Sequence, residues 1–340
     1  MYEDRAPESV WRGPWWRRSA QRLWRSAGDN GDRGGRPLRL WATEDAVVVV
    51  RFDRVQAFRS ATGAPLWTWR PPGEEVVALA SADVQDGLGL VLHHDDGARE
   101  TKQYGLTALD LGTGRVEWHR DQDPQDLGSL RDAALGGGRL AVSTGWQQPV
   151  LRTLDAHSGE TLSERPLPGT RAESASVLLA EPFVLLVKGQ GARSRPRLLV
   201  TRGTDDEATI KLPPGCARFG ERLAVTGDVL AIGLVPTDTD DRDEGTRIAG
   251  FSLTSGEQLW DWQGRGSSYA TVLAHRGWFL VLHSFGDRLS VLDPADGRAV
   301  ARRRVRGYGF HSQAAAAGDL IVLGSDSSED DSRLRAFRWR

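Results

Sequence analysis

Three observations in the 340-residue sequence predict an all-β fold, a seven-bladed β-propeller of four-stranded antiparallel blades. A strand–turn–strand motif, VQAFRSATGAPLW at residues 55–67, recurs down the chain. The register position, held by its turn glycine or in one copy by Asp205, repeats at intervals of 51, 45, 46, 51 and 41 residues, and a period of about 40–50 residues is that of a propeller blade. Each copy follows a short, largely apolar run, such as Ala46 to Phe52, of the kind that suits a strand covered on both faces.

Trp67 lies four residues after Gly63, Trp118 four after Gly114 and Trp260 four after Gly256. The copies at Gly159 and Gly297 keep the strand and turn but carry Ser163 and Ala301 at the tryptophan position. Between Gly159 and Gly256 lies a double interval, and Asp205 takes the glycine position of a degraded copy within it. Pro213-Pro214-Gly215 begins eight residues after Asp205, as Pro71-Pro72-Gly73 begins eight after Gly63. A last half-copy begins at Leu334 and stops where its turn should start. Blades are therefore expected to begin near Leu38, Val76, Leu130, Ser174, Ala217, Ser268 and His311, with residues 38–340 forming the propeller and residues 1–37 an N-terminal tail.

The seventh unit lacks an outer strand, and the tail is expected to supply it at about residues 18–26. Ser19 to Trp24 resembles Ser255 to Trp260, which puts Trp24 at the tryptophan position. That strand would close the ring and hide two edges. A short helix from Pro14 also fits, since Trp16, Ala20, Leu23 and Trp24 fall at helical spacing, and a disordered tail stays open.

The turn between the third and fourth strands needs a positive φ, which glycine adopts without steric cost. Thr62, Thr113, Ser158 and Ser255 precede it, where a hydroxyl can bond nearby backbone. The pattern Ala108, Asp110, Thr113, Gly114, Trp118 is repeated less completely at Ala57, Thr62, Gly63, Trp67 and at Ser255, Gly256, Trp260. It resembles the tryptophan-docking motif of the PQQ-like β-propeller repeats, over roughly residues 38–340. The resemblance implies that Trp67, Trp118 and Trp260, with Trp24 if the tail closes the ring, dock structurally between adjacent blades. That family includes quinoprotein alcohol dehydrogenases and the outer-membrane assembly lipoprotein propeller, so it implies a fold and not an activity. Its dehydrogenases use a vicinal cysteine pair beside the quinone and acidic or amide calcium ligands. This chain has one cysteine, Cys216, and one asparagine, Asn30, so neither a quinone cofactor nor any other cofactor is expected.

A net charge of -2, with 39% apolar and 26% charged residues, gives no global attraction to nucleic acid or anionic membrane. Of 44 basic residues only Lys102, Lys188 and Lys211 are lysine, a bias of GC-rich coding as in actinobacteria. A single cysteine permits no intrachain disulfide and suits a reducing compartment. Trp11 to Trp24 is broken by arginines and offers no apolar leader core, and no run approaches the roughly 18 apolar residues of a spanning helix. The expected location is the cytoplasm.

Catalytic signals are sparse. No Gly-x-Ser-x-Gly or His-Glu-x-x-His occurs. Gly189-Gln190-Gly191 follows a strand but opens no helix, which makes a poor phosphate cradle. Gly136-Gly137-Gly138 reads as a hairpin turn. His93-His94-Asp95-Asp96 holds metal-ligand types, but neighbours on a strand point to opposite faces, and a solvated hairpin loop is the simpler reading. Two acidic loops, Asp238, Asp240, Asp241, Asp243 and Glu244 in one and Asp326, Glu329, Asp330 and Asp331 in the other, fall between second and third strands. They form the candidate face for a basic protein partner. The Arg/Trp-rich tail, Val10 to Arg25, is a further candidate contact, and Arg302, Arg303, Arg304 and Arg306 are expected at a blade connection. The function expected is a non-catalytic interaction scaffold or adaptor. A small-ligand or metal-binding sensor using the central channel is the alternative, ahead of an enzyme with an unrecognised site.

Overall fold

The computed structural model describes residues 21–25, 39–73, 75–95, 104–122, 133–144, 150–166, 173–189, 196–202, 206–213, 216–236, 246–264, 270–283, 288–304, 313–324 and 334–338. The chain is all-β, a seven-bladed propeller of four-stranded antiparallel sheets, and no helix occurs among the described residues. Four blades form one compact unit, Asp29–Pro214. The first strand, β1 (Gln21–Arg25), lies in the tail, and blade 1 holds β2 (Arg39–Ala42), β3 (Ala46–Val50), β4 (Val55–Arg59) and β5 (Pro65–Trp69). Blade 2 holds β6 (Glu75–Ala80), β7 (Leu88–Asp95), β8 (Tyr104–Asp110) and β9 (Val116–Gln122). Blade 3 holds β10 (Ala133–Gly136), β11 (Arg139–Thr144), β12 (Val150–Asp155) and β13 (Thr161–Pro166). Blade 4 holds β14 (Glu173–Ala180), β15 (Phe183–Gly189), β16 (Arg197–Arg202) and β17 (Asp206–Lys211).

Three blades form the second unit, Met1–Gly28 with Gly215–Arg340. Blade 5 holds β18 (Cys216–Thr226), β19 (Val229–Pro236), β20 (Thr246–Ser252) and β21 (Gln258–Gly264). Blade 6 holds β22 (Ala270–His275), β23 (Trp278–His283), β24 (Arg288–Leu292) and β25 (Ala299–Arg304). Blade 7 holds β26 (Gln313–Ala317), β27 (Leu320–Gly324) and β28 (Leu334–Arg338), and β1 pairs antiparallel with β28 as its outermost strand. Residues 21–25 are thus a strand and not the continuation of a helix.

The continuous apolar runs are second strands, and their alternate residues serve different neighbours. In β11, Leu140 and Val142 pack with Leu90 and Leu92 of blade 2, while Ala141 packs with Leu185 and Val187 of blade 4. In β23, Phe279 and Val281 face Ala231 and Ile248 of blade 5, while Leu280 and Leu282 face Ile321 and Leu323 of blade 7. A strand with no solvent face has no reason to alternate polar and apolar residues.

The third-to-fourth-strand turn is the same wherever glycine marks it. The amide N–H of Gly114 donates to Asp110 O, that of Gly159 to Asp155 O, and those of Gly63, Gly256 and Gly297 to the residue four before each. All five glycines have φ between 69 and 75°. After the turn the outer strand bulges by one residue: Ala57 pairs with Trp67 but Phe58 with Pro65, which leaves Leu66 over. The same step leaves over Glu117, Leu162, Leu259 and Val300. Strand β1 repeats it, pairing Trp24 with Ala336 and Arg22 with Phe337, and leaving Leu23 over. The degraded copy in blade 4 pairs Leu199 with Thr209, the position equivalent to Ala57 with Trp67, but has no bulge. Gly136 to Gly138 do form a turn, between β10 and β11, with positive φ at Gly137 and Gly138.

Candidate functional site

The motif's side chains are explained by the turn. The Asp110 carboxylate accepts from the Thr113 amide (2.7 Å) and hydroxyl (2.7 Å). Asp155 accepts from the amides of His157 (3.0 Å) and Ser158 (2.8 Å), and the Ser158 and His157 bonds hold its pKa below the usual carboxylate value. In blade 5 the equivalent residue is Ser252, whose hydroxyl accepts from Thr254 (3.2 Å) and Ser255 (3.1 Å). In blade 1 it is Arg59, which has no such acceptor.

Three of these turns, at Gly114, Gly159 and Gly297, receive the tryptophan of the preceding blade. The indole N–H of Trp67 donates to Leu111 O (3.1 Å), that of Trp118 to Ala156 O (2.8 Å) and that of Trp260 to Pro294 O (2.8 Å). The rings lie on Gly114, Gly159 and Gly297, where a Cβ would come within 2.5, 2.8 and 2.6 Å of ring carbon. Gly250 stands where blades 1 and 2 have Ala57 and Ala108, and a Cβ there would meet Trp260 at 2.1 Å. Trp24 is buried as well. Sequence reasoning missed Trp41, a fully buried tryptophan on β2 that donates to Ser81 O (2.9 Å) and rests on Gly89 of blade 2. It falls in an apolar strand outside the repeated motif, so no register marked it.

The histidine pair departs from expectation. His93 and His94 are strand residues of β7, 1% and 9% exposed, and do not sit in a solvated loop. The strand turns them apart. His94 contacts Tyr104 edge-on and bonds Asp95 O at 2.8 Å. His93 faces the other way, toward Trp69 of blade 1, and joins a polar chain that crosses all four strands of blade 2. Its Nδ1 bonds Glu75 on β6, and its Nε2 bonds the Thr107 hydroxyl on β8 at 2.8 Å. The same hydroxyl bonds His119 Nδ1 on β9 at 2.9 Å, and His119 Nε2 bonds Asp121 at 3.0 Å. The two imidazoles stack, with centroids 5.5 Å apart, over Gly105, where a Cβ would lie 2.4 Å from His93 and 2.7 Å from His119. Burial pushes the His93 pKa down, against the opposing pull of Glu75. Glu75, Thr107, His119 and Asp121 are dispersed over 46 residues of sequence, and only strand pairing brings them into line. No group of three His, Cys, Asp or Glu with metal-binding geometry occurs among the described residues.

The nine acidic residues of the candidate partner face, Asp238, Asp240, Asp241, Asp243, Glu244, Asp326, Glu329, Asp330 and Asp331, lie outside the described residues, as do Val10 to Ala20 of the tail. Their segments connect β19 to β20 and β27 to β28. The arginine cluster is corrected in place: Arg302, Arg303 and Arg304 belong to the outer strand β25, with Arg303 buried, and not to a connection between blades.

Four-stranded blades whose last turn carries a glycine under the previous blade's tryptophan define a PQQ-like repeat propeller. The family model described as outer membrane protein assembly factor BamB matches residues 16–202, more than half of the sequence, and the chain belongs to this PQQ-like family. The outer membrane protein assembly factor BamB of Bordetella pertussis is 23% identical over 292 residues, which are 83% of this chain and 59% of that protein. The chain thus matches about three-fifths of that relative's length. A chain in a crystal structure of the mitotic checkpoint complex aligns over 99% of this chain and 98% of its own, at 11% identity and a TM-score of 0.58. The computationally designed Ika8 protein aligns over 94% and 99%, at 13% identity and a TM-score of 0.53. These two likenesses concern the fold alone. No helix among the described residues is long and apolar enough to cross a membrane.

Proposed function

We propose that the protein is a non-catalytic, protein-binding propeller, a scaffold or adaptor of the assembly-factor kind. The observation that carries this reading is the family match, which is to a model described as an assembly factor. The described polar side chains agree with it. Asp110, Asp155 and Ser252 are taken up by turn amides, and His93 is bonded inside a blade; these groups hold the fold. The partner-facing surface is proposed at the two acidic segments. Both connect the second and third strands of their sheets, in blades 5 and 7, which flank blade 6. Their charge suits a basic partner, and the Arg/Trp tail is proposed as a secondary contact.

The test is in-cell crosslinking and capture of the tagged full-length chain, followed by capture with Asp240→Lys/Asp241→Lys and Asp330→Lys/Asp331→Lys. A stoichiometric partner whose recovery falls about tenfold with either charge reversal supports the reading; a tenfold loss is about 1.4 kcal/mol of binding. Undiminished recovery with both variants removes the acidic segments from the interface, and the absence of any stoichiometric partner overturns the scaffold reading. The cytoplasmic location is part of the proposal, and recovery of the chain in a membrane or extracytoplasmic fraction refutes it.

A further inference from the structure

The chain Glu75–His93–Thr107–His119–Asp121 contains four hydrogen bonds. Each needs one proton. Ionised Glu75 and Asp121 only accept, a neutral imidazole donates one N–H, and a threonine hydroxyl donates one O–H. Two imidazoles and one hydroxyl therefore supply three protons for four bonds. We propose that the assembled chain binds a fourth proton, and that this proton couples the solvent-facing His119–Asp121 pair through the Thr107 hydroxyl to buried His93 and its half-buried partner Glu75, as a pH-responsive relay across blade 2.

The fourth proton can satisfy every bond from Glu75, His93, His119 or Asp121, and the relay places it on His119. His119 is the imidazolium, donating from Nδ1 to Thr107 and from Nε2 to Asp121. Thr107 donates to His93 Nε2, and His93 donates from Nδ1 to Glu75. The proton belongs at the outer end because burial opposes charge on His93, whose side chain is 1% exposed, whereas His119 is 38% exposed. The charged groups acting on His93 are Glu75 from β6 and His119 and Asp121 from β9. Strand β8 adds the neutral Thr107 and Gly105, and β5 adds the neutral Trp69. When the fourth proton leaves at higher pH, at least one of the four bonds has no hydrogen. If the Thr107 hydroxyl then turns to His119, His93 Nε2 loses its donor. A change at the surface is thus felt at His93 on the second strand with no backbone movement.

The test is imidazole nitrogen NMR on the full-length chain labelled at its seven histidines, followed from about pH 5 to 9, a window spanning the usual histidine range. Substitution of each histidine by glutamine assigns the signals. The relay predicts His93 as the neutral Nδ1–H tautomer, with its Nε2 shift moving at the same midpoint as the titration of His119. In Thr107→Val, His93 loses that response while His119 still titrates. An Nε2–H tautomer at His93, or a His93 response with a midpoint of its own, overturns the proposal. Should Thr107→Val fail to fold, Asp121→Asn serves, because that side chain is 96% exposed. It is expected to move the response of both histidines together, and a response that moves for only one of them overturns the relay. This inference does not rest on the scaffold reading.

Discussion

Trp260 gives the sharpest energetic prediction. Its side chain is 7% exposed, its ring lies on Gly250 and Gly297, and Phe279 stands 6.0 Å away. A buried tryptophan removes about 150–250 Å² from water, and truncation to alanine in a packed core costs about 3–5 kcal/mol. The lost indole N–H also leaves Pro294 O without that donor, a term of about 1 kcal/mol. Trp260→Ala is therefore expected to destabilise by about 3–5 kcal/mol, and Trp260→Phe, which keeps most of the ring, by about 1–2 kcal/mol. Gly297→Ala carries a separable cost. Its φ of +69° strains any L side chain by about 1–2 kcal/mol, and its Cβ would lie 2.6 Å from the Trp260 ring. In a Trp260→Ala background the clash disappears and only the backbone strain remains, so the two substitutions should be markedly non-additive. Urea unfolding followed by circular dichroism measures all four chains. The docking argument fails if Trp260→Ala is no more disruptive than a change at exposed Glu117, or if Gly297→Ala costs the same in both backgrounds.

Other expectations rest on single groups. His275 on β22 is 6% exposed, and burial, with Arg276 adding to it, lowers its pKa from 6.5 to about 4. Because the folded value is depressed, its contribution is present above about pH 6.5 and is lost as pH falls toward 4; the ceiling is about 3 kcal/mol. His275→Gln should flatten the urea midpoint over that window, and an unchanged slope would show that His275 is not the group responsible. Asp110→Ala removes the acceptor of the Thr113 amide and hydroxyl and should cost about 1 kcal/mol, whereas Arg59→Asp supplies the same acceptor to the first blade and should raise stability by about 0.5–1 kcal/mol. Equal unfolding midpoints for Arg59→Asp and the parent chain would argue against the turn's need for that acid.

The repeat was legible because its turn imposes a local rule. A five-residue turn closed by glycine at positive φ needs that glycine wherever it occurs, and four of the five copies add an acid or serine at the start, so Gly63, Gly114, Gly159, Gly256 and Gly297 share one register. Even the degraded copy was placed, since Leu199 pairs with Thr209 where the register requires. The bulge was hidden. It leaves over Leu66, Glu117, Leu162, Leu259 and Val300, four aliphatic residues and one acid, and an apolar residue on a strand does not by itself mark a step in the pairing.

By itself the sequence determined the architecture: the number of blades, the strands within them, the turn glycines and the tryptophans of the repeated motif, though not Trp41. Periodicity and φ preferences act over a few residues and leave their mark in the order of the letters. Tertiary structure alone decided that residues 21–25 pair with β28 and are not helical, since both readings satisfy the same local pattern. It also decided that His93 is buried, and that Glu75, Thr107, His119 and Asp121 stand in line with it. Hydrogen bonds between side chains on four different strands depend on register across the sheet, and a side chain's own neighbours in the chain say nothing about who will face it there.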